Sequence, residues 1–130
     1  MTVDTITMRW TAVCPYDRLE PERGVAALVG GVQVAIFRTH TGELFAIGNR
    51  DPIAAANVMS RGIVGSRGEA PTVASPLHKQ VYDLRTGECL DVPGVVVATH
   101  PVRCRDGDRV VEVGVEVGAG TAVETGSAPR

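Results

Sequence analysis

The residues best able to hold a metal or to act as nucleophiles are three cysteines and three histidines in a chain of 130 residues. The cysteines, Cys14, Cys89 and Cys104, are widely spaced, and no two of them form a Cys-x-x-Cys pair. Their odd number and their spacing argue against a disulfide framework or a zinc site. The glycines form neither a Gly-x-Gly-x-x-Gly turn nor a phosphate loop, and no carboxylates are spaced as acid–base catalysis requires. The sequence therefore predicts no catalytic constellation and no nucleotide site in this chain.

A more informative set of polar residues stands in the middle of the chain. The run Asn-Arg-Asp-Pro at 49–52 follows an apolar stretch, and the run Ser-Pro-Leu-His at 75–78 comes about two dozen residues later. Asp51 before a proline is a typical helix N-cap, so we predict one short helix over residues 51–59, ended by Gly62. Ser75 is predicted to bind the backbone of its own loop through its hydroxyl group.

The elements that position these loops are predicted to be strands. Valine is prominent among the apolar residues and aromatic residues make up only 4% of the chain, which favours pleated strands over helices. Two glycines at 30–31 mark a hairpin turn, and Asp-Gly-Asp at 106–108 marks another. We predict strands over residues 25–29, 32–37, 44–47, 72–74, 79–84, 102–105 and 111–117. In the last of these, Glu112, Gly114 and Glu116 alternate with valines and are predicted to face solvent. The fold class is therefore all-β, an antiparallel sandwich or barrel with a loop-rich insert over residues 49–89.

Charge and hydropathy exclude several classes of partner. The formal net charge of −2 argues against a nucleic acid or an anionic membrane surface bound through charge. No apolar run reaches the roughly 18 residues that a membrane span needs, and the first ten residues lack the apolar core of a signal peptide. We therefore expect a cytoplasmic protein that binds neither nucleic acid nor membrane. Its organisation is predicted as one domain over residues 1–117 and a flexible tail over residues 118–130.

The order of parts in the middle of the chain resembles the Rieske iron–sulfur domain, with a framework that extends over about residues 8–117. The runs Gly-Glu-Leu-Phe-Ala-Ile at 42–47 and Asp-Leu-Arg-Thr-Gly-Glu at 83–88 carry the resemblance. It implies a [2Fe–2S] cluster held by two thiolates and two imidazoles. In this chain Asn49, Asp51 and Ser75 stand at three of those four positions, and only His78 keeps the type of residue found in the family.

The replaced positions change the expected chemistry. Amide, carboxylate and hydroxyl oxygens are hard ligands that suit cluster iron poorly compared with thiolate sulfur. We therefore predict no metal and no cluster in this chain. Hydrogen bonds are predicted to hold the two loops that metal bonds would otherwise connect.

Three runs narrow the resemblance, at residues 49–56, 59–65 and 73–80. They are similar to the small subunits of assimilatory NAD(P)H-dependent nitrite reductases, which keep a Rieske-like fold and lack the cluster ligands. This resemblance implies a large-subunit partner that contains FAD, a [4Fe–4S] cluster and sirohaem. That complex uses NAD(P)H to reduce nitrite to ammonium in nitrate and nitrite assimilation. The chain is then expected to be an accessory subunit with no catalytic and no cofactor-binding residue of its own.

Without a cluster, the end of the domain that carries the loops becomes a candidate contact surface for the large subunit. The residues predicted to form it are Arg50, Ile53, Met59, Pro76, Leu77 and Lys79. The role of His78 stays open between a remnant ligand, a proton donor, a contact residue and a loop histidine bonded to backbone or solvent. Two other functions also stay open. One is a Rieske-type ferredoxin that carries electrons to an oxygenase, and the other is an unrelated β-barrel binding module.

Overall fold

Twelve β-strands and two short 3₁₀ helices make up residues 6–118, the part of the chain that the computed structural model describes. The strands are β1 (Ile6–Pro15), β2 (Arg23–Val29), β3 (Val32–Arg38), β4 (Leu44–Gly48), β5 (Arg50–Asp51), β6 (Ala56–Asn57), β7 (Ile63–Arg67), β8 (Ala70–Ala74), β9 (Val81–Asp83), β10 (Thr99–His100), β11 (Val102–Cys104) and β12 (Val110–Gly118). The 3₁₀ helices cover Tyr16–Arg18 and Met59–Arg61. Within these residues no helix has the length and apolar character to cross a membrane. The predicted all-β fold is confirmed.

A four-stranded antiparallel sheet, in the order β10-β4-β3-β2, forms the centre of the domain. The β2–β3 hairpin turns at Gly30 and Gly31, whose φ angles of 57° and 83° are those of the predicted tight turn. Along β3, alternate residues face opposite sides of the sheet. Ile36 is buried in a first core on one side, and Phe37 is buried in a second core on the other. The sheet therefore has a hydrophobic core on each of its faces.

The sheet β1-β12-β11 covers the first core. β1 runs antiparallel to β12 with a register shift between Ala12 and Cys14, where a bulge bends the strand. Strand β12 is confirmed, but its predicted solvent-facing side is wrong at Glu112. This carboxylate is buried because the guanidinium group of Arg103 lies over it, with Nε 2.8 Å from Oε1.

The insert between β4 and β10 covers the second core. It contains the sheet β7-β8-β9 and the two-stranded ribbon β5-β6. Met59 and Tyr82 of the insert are fully buried in one cluster with Phe37 of the central sheet. Gly24 of β2 allows this packing, because a Cβ atom there would lie 2.4 Å from the carbonyl oxygen of Ser60. The insert thus forms one side of the second core, and this packing gives the candidate loops a rigid base.

The predicted helix over residues 51–59 is wrong. Asp51 does accept hydrogen bonds from the N–H groups of Ile53 and Ala54, at 2.8 and 3.1 Å, as a helix N-cap would. The turn then ends at Ala55, whose φ of 57° is left-handed. Ala56 follows by pairing back with Asp51 across β5 and β6. The cap and the proline therefore specify one turn of backbone and no more.

Tertiary contacts explain why the chain turns back here. The N–H of Met59 donates to the carbonyl oxygen of Asn49 at 3.0 Å, and the Met59 side chain is fully buried. A continuous helix would replace this long-range bond with a local one, so packing overrides the local helix signal. Gly62 therefore ends only the short 3₁₀ helix Met59–Arg61, where its N–H donates to the carbonyl oxygen of Met59. A Cβ atom at this position would lie 2.5 Å from the carbonyl oxygen of Ala74.

Most of the other predicted strands are present, with small differences at their ends. The strand predicted over residues 79–84 is shorter, at Val81–Asp83, while β1, β5, β6, β7 and β10 are not among the predicted strands. Gly118 is the last residue of β12, and residues 119–130 of the predicted tail lie outside the described part of the chain. The domain boundary at residue 117 stays a prediction.

The Thr-Gly turn after β9 is fixed by a neighbouring segment. Gly87 has a φ of 81°, and a Cβ atom there would lie 2.1 Å from the carbonyl oxygen of Val97. The N–H of Val97 also donates to the carbonyl oxygen of Gly87 at 2.8 Å. These contacts hold the segment around Val97 against the turn, where it forms one side of a groove beside the candidate loops.

Candidate functional site

Two loops carry the four candidate positions, and they meet at one end of the domain. Residues 49–58 contain Asn49 and Asp51, and residues 75–80 contain Ser75 and His78. The hydroxyl of Ser75 donates a hydrogen bond to Oδ2 of Asp51, and both residues are buried. We call the two segments the tip loops. This bond confirms the prediction that hydrogen bonds hold the loops together.

Asp51 is at the centre of this arrangement. Its carboxylate accepts the Ser75 hydroxyl at Oδ2 and the N–H groups of Ile53 and Ala54 at Oδ1. Burial is the largest influence on its pKa and raises it, but the three donors and the nearby His78 together hold the pKa below its ordinary value. Asp51 is therefore ionised at neutral pH, and its charge is stabilised by donors that belong to the tip loops.

Asn49 joins the first tip loop to two other segments. Its Nδ2 donates to Oε1 of Gln33 at 3.2 Å, and its Oδ1 accepts the N–H of Ser60 at 2.8 Å. Its backbone N–H donates to the carbonyl oxygen of Gln33, and its own carbonyl accepts the Met59 N–H, both at 3.0 Å. Because the residue is buried and both side-chain polar atoms are bonded within the protein, Asn49 acts as a support for the tip.

The second tip loop closes on Ser75. The N–H of Leu77 donates to Ser75 Oγ at 3.3 Å, which confirms the predicted serine turn. The N–H of Lys79 donates to the Ser75 carbonyl oxygen at 3.0 Å. Lys79 has a φ of 64°, a left-handed conformation that is costly for a residue with a side chain. The side chains of His78 and Lys79 are both exposed.

Tyr82 lies near the tip and is not among the site residues predicted from the sequence. It is fully buried, and its hydroxyl has no hydrogen-bond partner of ordinary geometry within residues 6–118. Burial first, and then the negative charge of Asp51, raise the pKa of this phenol. A neutral hydroxyl is therefore held near the Asp51 carboxylate. The sequence feature that could have identified Tyr82 is its position in the Val-Tyr-Asp run just before the Thr-Gly turn.

The donor set at the tip does not suit a [2Fe–2S] cluster. Asn49, Asp51 and Ser75 offer oxygen or amide atoms that are already engaged in hydrogen bonds. The cysteines cannot replace them, since Cys14 and Cys104 belong to the sheet β1-β12-β11. Cys89 forms a backbone β-bridge with Tyr82 and lies outside the tip loops. Among residues 6–118, no three or more His, Cys, Asp or Glu side chains are grouped as metal ligands.

The predicted contact residues divide into five at the surface and one in the core. Met59 is fully buried, and its predicted place on the surface is wrong because it fills the second core. Leu77 and Ile53 are 51% and 37% exposed. The remaining three, of which Pro76 is half-buried and the others exposed, are Arg50, Pro76 and Lys79.

The exposed ionisable side chains of the tip loops are basic. The exposed ionisable residues of these loops are Arg50, His78 and Lys79, and their one acidic residue, Asp51, is buried. The adjoining segments 30–33 and 92–98 contain no ionisable side chain. Because the whole chain has a net charge of −2, the tip differs in sign from the rest of the protein.

The fold agrees with the comparisons with known proteins. Residues 9–113 match the family model described as a Rieske-like [2Fe-2S] domain. The nitrite reductase (NADH) small subunit of Salmonella typhimurium is 42% identical over 100 residues, which cover 76% of this chain and 93% of that protein. A crystal structure from Mycobacterium tuberculosis, described as a candidate NADH-dependent nitrite reductase small subunit, has a TM-score of 0.81 and 45% identity. It covers 84% of this chain and 96% of its own. The chain belongs to the nitrite reductase small-subunit family, whose members carry this Rieske-like domain.

Two further relatives have different names. The nitrite reductase [NAD(P)H] large subunit of Klebsiella oxytoca is 38% identical over 98 residues, which are 75% of this chain but only 10% of that protein. A protein named as a large subunit thus contains a segment similar to this chain. The 3-phenylpropionate/cinnamic acid dioxygenase ferredoxin subunit of Photorhabdus laumondii is 30% identical over 105 residues, which cover 80% of this chain and 94% of that protein.

Proposed function

We propose that this chain is the small, accessory subunit of an NAD(P)H-dependent nitrite reductase that reduces nitrite to ammonium in nitrate and nitrite assimilation. Support comes from relatives that are 41–42% identical and are named as the small subunit of nitrite reductase (NADH). In this proposal FAD, the [4Fe–4S] cluster, sirohaem and the NAD(P)H site belong to the large subunit. The complex is proposed to work in the cytoplasm.

The proposed partner is the large subunit. The similarity of this chain to a segment inside the Klebsiella oxytoca large subunit supports this partner. Joining two domains in one chain raises their effective concentration without requiring new contacts. A domain that is fused to the large subunit in one protein and separate from it in another is therefore expected to contact the same large-subunit surface in both.

The chain is proposed to act by contact, without a redox centre of its own. The observation that carries this proposal is the hydrogen bond from Ser75 to Asp51. It closes the tip loops at the positions that the cluster ligands would occupy in a Rieske domain. A cluster inserted there would separate the two side chains and deprive a buried carboxylate of one of its donors, which is unfavourable.

The tip loops are the proposed contact surface. Leu77 and Ile53 supply exposed apolar area, and exposed apolar patches commonly mark protein contacts. Arg50 and Lys79 supply positive charge beside them. The left-handed backbone at Lys79 adds support, since strained residues cluster at functional surfaces.

The partner and the surface can be tested together. The large subunit is co-expressed with the wild-type chain, the Leu77→Asp variant or the Ile63→Asp variant, and co-purification and nitrite-dependent NAD(P)H oxidation are measured. Ile63 is a matched control because it is 72% exposed on β7 and is not part of either tip loop. We expect only Leu77→Asp to reduce co-purification. Absence of a complex with the wild-type chain would contradict the proposed partner, and equal retention of both variants would contradict the proposed surface.

A second candidate function is a Rieske-type ferredoxin that supplies electrons to an oxygenase, which the similarity to the dioxygenase ferredoxin subunit favours. It requires a red-brown protein with about two irons per chain. The accessory-subunit proposal instead expects a colourless chain without iron. Iron analysis and an absorption spectrum, recorded after anaerobic incubation with iron and sulfide, distinguish the two. Stoichiometric iron bound by this chain would overturn the proposal that it has no redox centre.

A further inference from the structure

A groove of about 560 Å³ lies beside the tip loops. It is bounded by the β2–β3 turn, by the first tip loop and by residues 96–98. Its apolar lining includes Val32, Pro52 and Val96, and Val32 and Val96 are 37% and 55% exposed. None of these three residues is among the contact residues predicted from the sequence. The groove therefore offers an open apolar surface next to the tip.

Polar groups in the lining add specificity to this apolar surface. Arg50 is exposed and makes no ion pair with any residue in the range 6–118. His100 also lines the groove, and its Nε2 is buried without a hydrogen-bond partner in the same range. Burial lowers the pKa of His100, so its ring is neutral at pH 7 and can accept or donate a hydrogen bond. A ligand for this groove should therefore combine apolar area with a group that satisfies the arginine.

The distribution of charge indicates the sign of the partner. Arg50 is the one charged residue in the lining, and the exposed ionisable side chains of the tip loops are all basic. Complementary potentials guide association and exclude partners of the same sign. A partner that presents a carboxylate beside an apolar side chain matches both features of the groove.

We propose that this groove binds a large apolar side chain of the nitrite reductase large subunit, and that a neighbouring carboxylate of the same segment pairs with Arg50. This inference rests on the proposed function, because it takes the large subunit as the partner. An apolar anchor in a pocket, surrounded by polar contacts, is the common arrangement at the energetic centre of a protein interface. Val96, which is more exposed than Val32, is expected to carry much of the affinity.

A second copy of this chain is a poorer occupant. A symmetric dimer brings the same patch of both copies together, so Arg50 would face the basic tip of its partner copy. A like-charged contact of this kind is unfavourable. The large subunit, in contrast, is not constrained to present the same surface.

The test measures the affinity of the purified chain for the purified large subunit at low and at high ionic strength. The two groove variants are Val96→Asp and Arg50→Glu, and each has a matched control elsewhere on the surface. Ile63→Asp controls for a charge placed on an exposed aliphatic residue, and Arg9→Glu controls for charge reversal because Arg9 is exposed on β1. Circular dichroism and the melting temperature establish that each variant is folded.

We expect each groove variant to weaken binding about tenfold or more, and each control to change it less than about twofold. We also expect added salt to weaken the wild-type complex more than the Arg50→Glu complex, because the variant has lost the ion pair. If the wild-type chain binds and both groove variants bind equally well, the inference is wrong while the proposed function stands. If the wild-type chain itself does not bind, the proposed function fails.

Sedimentation of the free chain completes the test. A wild-type dimer that dissociates on Val96→Asp substitution would show that a second copy occupies the groove, and would overturn the inference. A monomer at the concentrations used for binding supports it.

Discussion

Removal of the hydrogen bond between Ser75 and Asp51 should destabilise the folded chain, and the losses of stability from substituting the two residues should not be additive. The perturbation is a double-mutant cycle of Ser75→Ala, Asp51→Ala and the combined variant. Ser75→Ala leaves Oδ2 of a buried carboxylate without its donor, while Asp51→Ala also removes the acceptor of the Ile53 and Ala54 N–H groups. The two single variants therefore share the loss of one bond.

The expected magnitude follows from these contacts. A hydrogen bond to a charged group is worth about 2 kcal/mol, and the loss of the backbone cap adds about 1 kcal/mol. Ser75→Ala should therefore cost about 2 kcal/mol, and Asp51→Ala and the double variant about 3 kcal/mol each. The coupling energy between the two sites is then about 2 kcal/mol. For a domain of this size the double variant should melt about 12 °C below the wild-type protein.

The free energy of unfolding is measured by urea denaturation at neutral pH, and the melting temperature by calorimetry. Ser66→Ala and Asp106→Ala serve as controls, because both residues are exposed and neither makes a side-chain hydrogen bond with other residues in the range 6–118. Both controls should stay within about 0.5 kcal/mol of the wild-type protein. Strictly additive losses, with a coupling energy below about 0.5 kcal/mol, would refute the claim that this bond joins the tip loops.

Three other predictions concern the same framework. Because the folded-state pKa of Asp51 is below its ordinary value, its stabilising effect is complete above the ordinary value and is lost as the pH falls through the folded value. Urea curves of the wild-type protein and the Asp51→Asn variant should therefore converge as the pH falls below the ordinary aspartate pKa of about 3.9, and a constant difference would contradict this. Asn49→Ala removes bonds to Gln33 and Ser60, so urea denaturation should show a loss of about 2 kcal/mol, and a loss below about 0.5 kcal/mol would be inconsistent with it. Gly24→Ala should lower calorimetric stability by about 1–3 kcal/mol, because its Cβ atom would lie 2.4 Å from the Ser60 carbonyl oxygen. Gly65→Ala, whose Cβ atom would lie 3.7 Å from its nearest neighbour, should have a much smaller effect, and equal losses would contradict the steric argument.

The sequence predicted the elements whose signals are local. Gly30 and Gly31 need positive φ angles in a tight hairpin, so the β2–β3 turn was recognisable from two residues. Asp51 and Ser75 were recognisable as residues that bind nearby backbone, and both do so. The order of the Rieske-like runs identified the two candidate loops, because it aligned Asn49, Asp51, Ser75 and His78 with the four ligand positions of the family.

The sequence could not predict features that depend on distant contacts. Asp51 and Ser75 are far apart in the chain, and only the folded insert brings their side chains together. The helix signal at residues 51–59 was outweighed by the burial of Met59, whose depth no local pattern reveals. Glu112 looked solvent-facing by alternation, but the neighbouring strand places Arg103 over it. These differences arise from tertiary packing, which a propensity for one residue type does not contain.

The absence of a side chain at residue 87 determines where one wall of the groove stands. The Val97 carbonyl fills the space that a Cβ atom at this position would need, so residues 96–98 rest directly on the Thr-Gly turn. A larger residue at position 87 would displace this wall even though Gly87 does not itself line the groove. The Thr-Gly turn thus acts as a spacer. The missing side chain of Gly87 is part of the groove shape that a partner would recognise.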